Sequence, residues 1–561
     1  MIVNRLAEEK VFDAGGACRS QRRNYYDGQA SEQTPPTKGL LTKVEAAQDA
    51  CGGGFVTQVQ NSYDPTWHNL TRSQDGLGHG LTTVYDNEFH VFVSTQSNDL
   101  SQTTTTTYPP ADVVQRALGL PSQTTDANNQ VASYTYDGFG RPLTVNRPLG
   151  HASVDEQWVY TDYSSAASPR RVLHKLYDEV TTPANPESGY LAEWTFYDGL
   201  GREVQRQGEH ESDANKSILV SQSYDGQGRL ERTSVGYEYG GAPGTYRAVT
   251  NWNGVAHSRN EYDSLGRVVR VVGPDGADGR YEYRYLQTAS FDALDHLVIS
   301  EEDGLGRTKA VREYEGVYPT LNWNSLPGAY STTSYEYDVL DRLERVVGAD
   351  GAVIDPSYNL LGEKTGMSDP DMGAWSYGYD GAGNLTRQTD ARGTVLCYEY
   401  DALNRLRYVR EDQTAPKDCT GTLAWRTTHE YDTLNWQPVA NGIGRRNRLN
   451  DGSGTTTWAY DVRGRATSET KAIGGTGGGT FVTQWTYDAA DRVKTMTYPG
   501  GNNSQAGEVV NFTYNPQGLV ETMVGTSTYV ASTTYNALGQ TTDRWLGSNG
   551  VVRQHYDYTA A

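Results

Sequence analysis

The sequence predicts an all-β protein: tandem antiparallel β-hairpins that join into one long sheet and coil into a hollow shell or barrel-like spiral. Three observations carry this. The stretch YDSLGR, Tyr262 to Arg267, returns as YDGFGR from Tyr136, YDGLGR from Tyr197, YDGQGR from Tyr224, YDGAGN from Tyr379 and YDALNR from Tyr400. It returns on a beat, 21 residues from Tyr337 through Tyr358 and Tyr379 to Tyr400, and 21 again from Tyr514 to Tyr535 to Tyr556. Self-similarity at a fixed period marks a repeat architecture. The third observation is compositional: 40 Tyr and 61 Gly stand against 9 Phe and 5 Met. Tyr packs its ring but keeps a hydroxyl that needs a partner, so this balance fits thin sheet wetted on both faces better than a deep oily core.

Each unit has a physical reading. Residues before the motif alternate, as in Tyr335-Glu336-Tyr337 and Tyr398-Glu399-Tyr400, which puts both tyrosines on one face of a strand. The aspartate then opens a turn, its carboxylate accepting a local backbone N–H. Three residues later comes Gly, as a type I turn closed by a left-handed residue and a bulge requires. The turn residues are thus Tyr136, Asp137 and Gly140; Tyr197, Asp198 and Gly201; Tyr224, Asp225 and Gly228; Tyr262, Asp263 and Gly266; and Tyr379, Asp380 and Gly383. Where Gly is missing, Asp341 follows Tyr337 and Asp338, and Asn404 follows Tyr400 and Asp401. Asp and Asn are the non-glycine types most tolerant of positive φ. On this reading Asn404→Gly should be neutral or mildly stabilising. An apolar alternation then resumes, as in Val268 to Val272, and a second turn follows, Pro274-Asp275-Gly276 or Ala349-Asp350-Gly351. Roughly fourteen to sixteen hairpins, about thirty strands, exceed what an open twisted sheet holds flat, so the sheet should curl on itself.

Along the chain, residues 1–54 read as an irregular lead-in, 55–135 as degenerate YD-like repeats with inserts, and 136–561 as the repeat array. The short stretches ADVVQRALGL from Ala111 and TKVEAAQDA from Thr42 are the helical candidates. A formal charge of -21 argues against nucleic acid and anionic membrane as partners. No run of about 18 apolar residues is present, so no transmembrane helix is expected. The opening MIVNRLAEEKVFDAGG lacks the apolar core of a signal peptide. Cys397 and Cys419 bracket one repeat unit and are placed to staple neighbouring strands, with Cys18 and Cys51 a second pair. Formed disulfides would imply an extracellular or periplasmic setting; the alternative is four reduced, buried thiols.

The motif, its beat and its second PDG or ADG turn resemble the YD (Rhs) repeat family over about residues 55–561. That family includes bacterial Rhs proteins, the shell subunits of Tc insecticidal toxins and animal teneurins. The segment Asp369 to Gly393 resembles the Tc-toxin and SpvB-associated members most. The resemblance implies a hollow shell around a C-terminal toxic domain, and hence an encapsulated toxin or effector, or other shell subunits, as partners. It also implies a secreted or surface-exposed bacterial protein whose export signal lies elsewhere. The family's DPxGL-type self-cleavage segment has no counterpart here; Tyr514 to Leu519 is another repeat copy. The chain is therefore expected to be a segment of a longer polypeptide, or a minimal array closing by self-association through its sheet ends.

Sequence motifs for catalysis are absent. There is no HExxH, GxSxG or GxxxxGK, and Asp369, Asp371 and Gly373 lack the later ligands of a calcium loop. Aspartates recurring at every turn cap turns, because a catalytic pair occurs once. No catalytic residue, metal or cofactor is implied. Two function classes follow: a non-catalytic container, and a teneurin-like adhesion or filament protein whose Tyr-x-Tyr rings could stack on glycan.

Overall fold

A computed structural model of the chain describes residues 4–109, 113–148, 154–162, 169–179, 189–414, 417–421, 423–501 and 503–558. Among these, 43 strands join in a single sheet, and a short hairpin, Thr433–Leu434 with Gln437–Pro438, stands apart. Strands adjacent in sequence pair antiparallel, hairpin after hairpin. The strand number exceeds the expected thirty because the N-terminal segment and the degenerate copies also pair.

Two expectations are corrected here. Residues 1–54 are not an irregular lead-in: Glu8–Phe12, Cys18–Tyr26 and Leu41–Ala50 are strands of the same sheet. Tyr26-Asp27 is itself a YD step, with Asp27 N–H donating to Leu40 O at 2.8 Å across an enlarged turn. The stretch TKVEAAQDA is strand rather than helix. It pairs with Cys18–Tyr26 on one side and Gly53–Tyr63 on the other, burying Val44 and Ala47. Two-sided pairing overrides the helix propensity of Glu, Ala and Gln. The other candidate does form a short helix, Val113–Ala117.

The sheet has two ends. YD turns lie along one, the upper rim; the alternate turns lie along the other, the lower edge. Strand Lys216–Tyr224 forks, its first half pairing with Tyr237–Gly240 and its last residues with Leu230–Thr233. At the fork, buried Gln205 and Gln207 accept and donate hydrogen bonds that fix the loop at Gly244–Arg247 over the sheet. Beneath and beside that loop, Leu173, Ala192, Trp194 and Phe196 form one apolar cluster; Ala289, Phe291, Leu297 and Ile299 form another under the loop carrying Leu321 and Trp323. Only 19 hydrophobic residues are buried among those described, which leaves the rest of the sheet thin.

The sheet coils. Leu360 N–H donates to Gln48 O at 2.9 Å, Asn404 Nδ2 to Asp75 Oδ2 at 2.9 Å, Ile443 N–H to Asn128 Oδ1 at 2.9 Å and Tyr535 N–H to Glu211 Oε2 at 2.8 Å. Such contacts join residues 308 to 344 apart in sequence. In each, an upper-rim turn of a second coil meets the lower edge of the first. About two dozen strands make one circuit, and strands lie about 4.8 Å apart, so the backbone circle is at least ~37 Å across. The accessible area is 29754 Å², against about 20,000 Å² for a compact globule of this mass. A sheet with an inner and an outer face accounts for the excess.

Candidate functional site: the turn relay and the seam

The repeated turn is built from one carboxylate. Asp263 N–H donates to Arg267 O at 2.9 Å, and Gly266 N–H returns to Asp263 O at 3.1 Å. Asp263 Oδ1 accepts from the N–H groups of Leu265 and Arg267, each at 2.9 Å, while Oδ2 accepts from Arg267 Nε at 2.7 Å. Gly266 sits at φ +84°, in the left-handed region where a Cβ is costly. The same seat recurs at Asp137, Asp198, Asp225, Asp338 and Asp401 with their arginines Arg141, Arg202, Arg229, Arg342 and Arg405. At Asp380, Asn384 Nδ2 replaces the guanidinium. Gly140, Gly201, Gly228 and Gly383 have φ between +82° and +84°, and Asp341 and Asn404 stand at +62° and +58°. The pairing register slips by one at Tyr136, Tyr197, Tyr224, Tyr262, Tyr337, Tyr379 and Tyr400, so each tyrosine marks a bulge. Hydrogen bonding holds the carboxyls of Asp225 and Asp303 below the ordinary range. For Asp225 the Arg229 N–H acts most, and for Asp303 the Arg307 side chain.

The arginine does more than close its own turn. Arg229 lies over the ring of Tyr262 at 4.5 Å, and Tyr262 OH donates to Leu230 O at 2.7 Å. Arg465 lies over Tyr487 at 4.6 Å, with Tyr487 OH on Ala466 O at 2.7 Å; Arg492 and Val493 O take Tyr514 in the same way. Arg229 Nη1 and Arg342 Nη1 also reach the carbonyls of the next turns, Asp263 O and Asn359 O. Asp, its own Arg and the next Tyr thus form a relay from hairpin to hairpin. Sequence reasoning gave the arginine no role, although its fixed place four residues after the aspartate was the available signal. Burial raises the phenol pKa of Tyr487 and of Tyr514. Each of these tyrosines has its hydroxyl on a carbonyl and a ring face under a cation, which leaves little for stacking on sugar.

Where coil meets coil, the upper-rim turns carry extra contacts. Arg463, two residues past Asp461, is buried and paired with buried Asp155. Arg492 reaches Asp178 at 3.3 Å, and Lys494 reaches Glu179 at 2.9 Å. Asn404 holds Asp75 and also contacts His79 Nδ1 at 3.1 Å. A cleft of about 470 Å³ runs along this seam, with Leu191 and Ile218 on the first coil and Pro516 and Leu519 on the second. Cys397 is bonded to Cys419 and Cys18 to Cys51. Asp369 Oδ1 accepts from the N–H groups of Asp371 and Met372, each at 2.8 Å, which makes that segment a hairpin turn. Among the described residues no cluster of His, Cys, Asp and Glu has the makings of a metal site.

The sequence pattern of the RHS Repeat matches residues 117–152, 358–395 and 379–415, and that of a domain of unknown function, DUF6443, matches residues 172–293. The "Probable deoxyribonuclease RhsB" of Dickeya dadantii (strain 3937) is 27% identical over 242 residues, 40% of this chain and 16% of that protein. The crystal structure of TcdB2-TccC3 overlays 97% of this chain with a TM-score of 0.79 at 17% identity, over 32% of its own length. The chain thus carries copies of the RHS repeat. A Photorhabdus luminescens Tc holotoxin pore structure overlays 97% of this chain with a TM-score of 0.78 at 16% identity, over 33% of its length. At such identity the likeness establishes the fold, that of a Tc-toxin-like shell. The chain spans about a third of the solved chains it overlays and less than a fifth of the curated relative.

Proposed function

We propose that this chain is a stretch of non-catalytic β-shell that encloses or carries a toxin or effector outside the bacterial cytosol. The observation that carries this reading is the coil, wide enough at ~37 Å or more to surround a polypeptide thread once side chains line its bore. Supporting it, the recurring aspartates are spent on turn N–H groups and arginines rather than presented as a pair in a cleft. One solved relative is described as TcdB2-TccC3 without its hypervariable C-terminal region, and a removable segment of that kind is the cargo proposed for this chain. The nuclease in the name of the Dickeya protein is not carried over, since 16% of that protein is matched. Two disulfides fit an oxidising compartment.

The test is protease protection. An unstructured reporter fused after Ala561 should be cut at least tenfold more slowly than the free reporter. Opening the seam with Arg463→Ala should restore cutting. Equal rates for fused and free reporter would refute enclosure. A second reading, a surface protein associating through its rims, is favoured by a row of exposed apolar turn tips.

A further inference from the structure

The upper rim is one kind of surface in two environments. Over residues 359–539 its turns are covered by the first coil, and the residue two past each aspartate or asparagine is withdrawn from solvent. Leu361, Ala382, Leu403 and Gln517 are half-buried and Arg463 is buried, with Leu538 at the far end still 51% exposed. Over residues 64–306 the described residues show no second-coil contact on the rim, and Arg116 of the short helix pairs with Asp86 there. There the tip residues include Phe139, Leu200, Leu265 and Leu305, with Glu88 and Gln227 as exposed polar tips, Trp67 three past Asp64, and Tyr285 on a two-residue turn of the same rim. Phe139, Leu200, Leu265 and Leu305 are 84%, 80%, 77% and 74% exposed, and Tyr285 is 94% exposed. An apolar side chain at the most exposed point of turn after turn marks an interaction surface.

The seam shows what fits such a rim. Its other side is a lower edge rich in acceptors: Asp75, Asn128, Asp155, Asp178 and Glu211 take donors of the covered rim, Arg463 among them at a tip. The lower edge of the second coil has the same chemistry, with Asp350, Asp371 and Asp418 exposed among the described residues. The chain therefore carries both halves of its own seam, facing opposite ways.

We infer that copies of this chain stack head to tail, the lower edge of one copy seated on the upper rim of the next. The contact continues the internal seam: apolar tips enter between acidic turns, and rim N–H and guanidinium groups meet carboxylates. Such an interface is heterologous and does not close on itself, so it generates an open series of oligomers. It stands whether or not the bore holds cargo.

The experiment is sedimentation of the full chain across a concentration series at low ionic strength. The expected result is a progression through dimer, trimer and longer stacks. The triple variant Leu200→Asp, Leu265→Asp, Leu305→Asp alters only exposed tips, so its melting curve should match the parent. Its association midpoint should rise by about 100-fold, the loss of several buried leucines. Asp350→Lys with Asp371→Lys, on the opposite edge, should weaken association as well. Val509→Glu, exposed in the middle of the strand Ala506–Tyr514, should leave it unchanged. A monomer at all concentrations would overturn the inference. So would a discrete dimer that the tip variant abolishes and the lower-edge variant leaves intact, because the rim would then pair with itself.

Discussion

The turn at Asp263–Gly266 and the turn at Asp401–Asn404 are the same device in two places. Both seat an aspartate on two backbone N–H groups and an arginine. Both close with a residue at positive φ. Yet the tip at Leu265 stands in solvent, while Asn404 bridges to Asp75 and His79 on the other coil. The repeat fixes the turn; what the coil brings beneath it decides what each side chain is worth.

The largest test of that contrast compares Arg463→Ala with Leu265→Ala, both two residues past the turn aspartate. Removing the cation that faces buried Asp155 should destabilise by about 3 kcal/mol, whereas the exposed leucine should change stability by less than about 0.5 kcal/mol. Urea unfolding of the two variants reads this directly; equal effects would mean the seam does not form. Next come the residues at positive φ. Gly266→Val should cost about 1–2 kcal/mol, because the left-handed region crowds a Cβ. Asn404→Gly, neutral if only backbone freedom mattered, should instead cost about 1 kcal/mol through its lost inter-coil hydrogen bonds. Tyr262→Phe and Tyr487→Phe, one in each coil, should each lose about 1 kcal/mol, since the relay is the same in both. Unequal losses would show that the seam alters the relay too.

The smallest effect is on pH. Carboxyls such as Asp225 and Asp303 have folded values below their unfolded ones. Their contribution is present above the ordinary carboxylate range, near pH 4, and is lost as pH falls through the depressed folded values. The buried phenols of Tyr487 and Tyr514 are raised, so their contribution is present below about pH 10 and is lost as pH rises through the folded values. A melting series from pH 2 to 11 should therefore fall off at both ends. A flat acid limb would contradict the carboxylate seat.

The fold class was legible because a period, a turn residue and an alternation all agreed. The turn geometry was legible residue by residue, since Gly, Asp or Asn at the fourth place of YDxxGR admits few backbones. The relay was hidden because it joins Arg229 to Tyr262, residues in neighbouring units, and a motif read one unit at a time does not show it. The seam was hidden more deeply. Asp155 and Arg463 are 308 residues apart, and nothing local in either segment announces the other. The N-terminal strands were missed because the enlarged turn after Tyr26-Asp27 breaks the beat that identified the rest.

The central claim is that the sheet makes more than one circuit and seals coil on coil. Lys494 Nζ and Glu179 Oε2 lie 2.9 Å apart across that seam, both partly open to solvent. Zero-length carbodiimide coupling of the monomer, read by mass spectrometry, should join the peptides containing these two residues. Coupling confined to pairs within one coil, such as Lys309 with Glu301 or Lys43 with Glu45, would contradict the spiral.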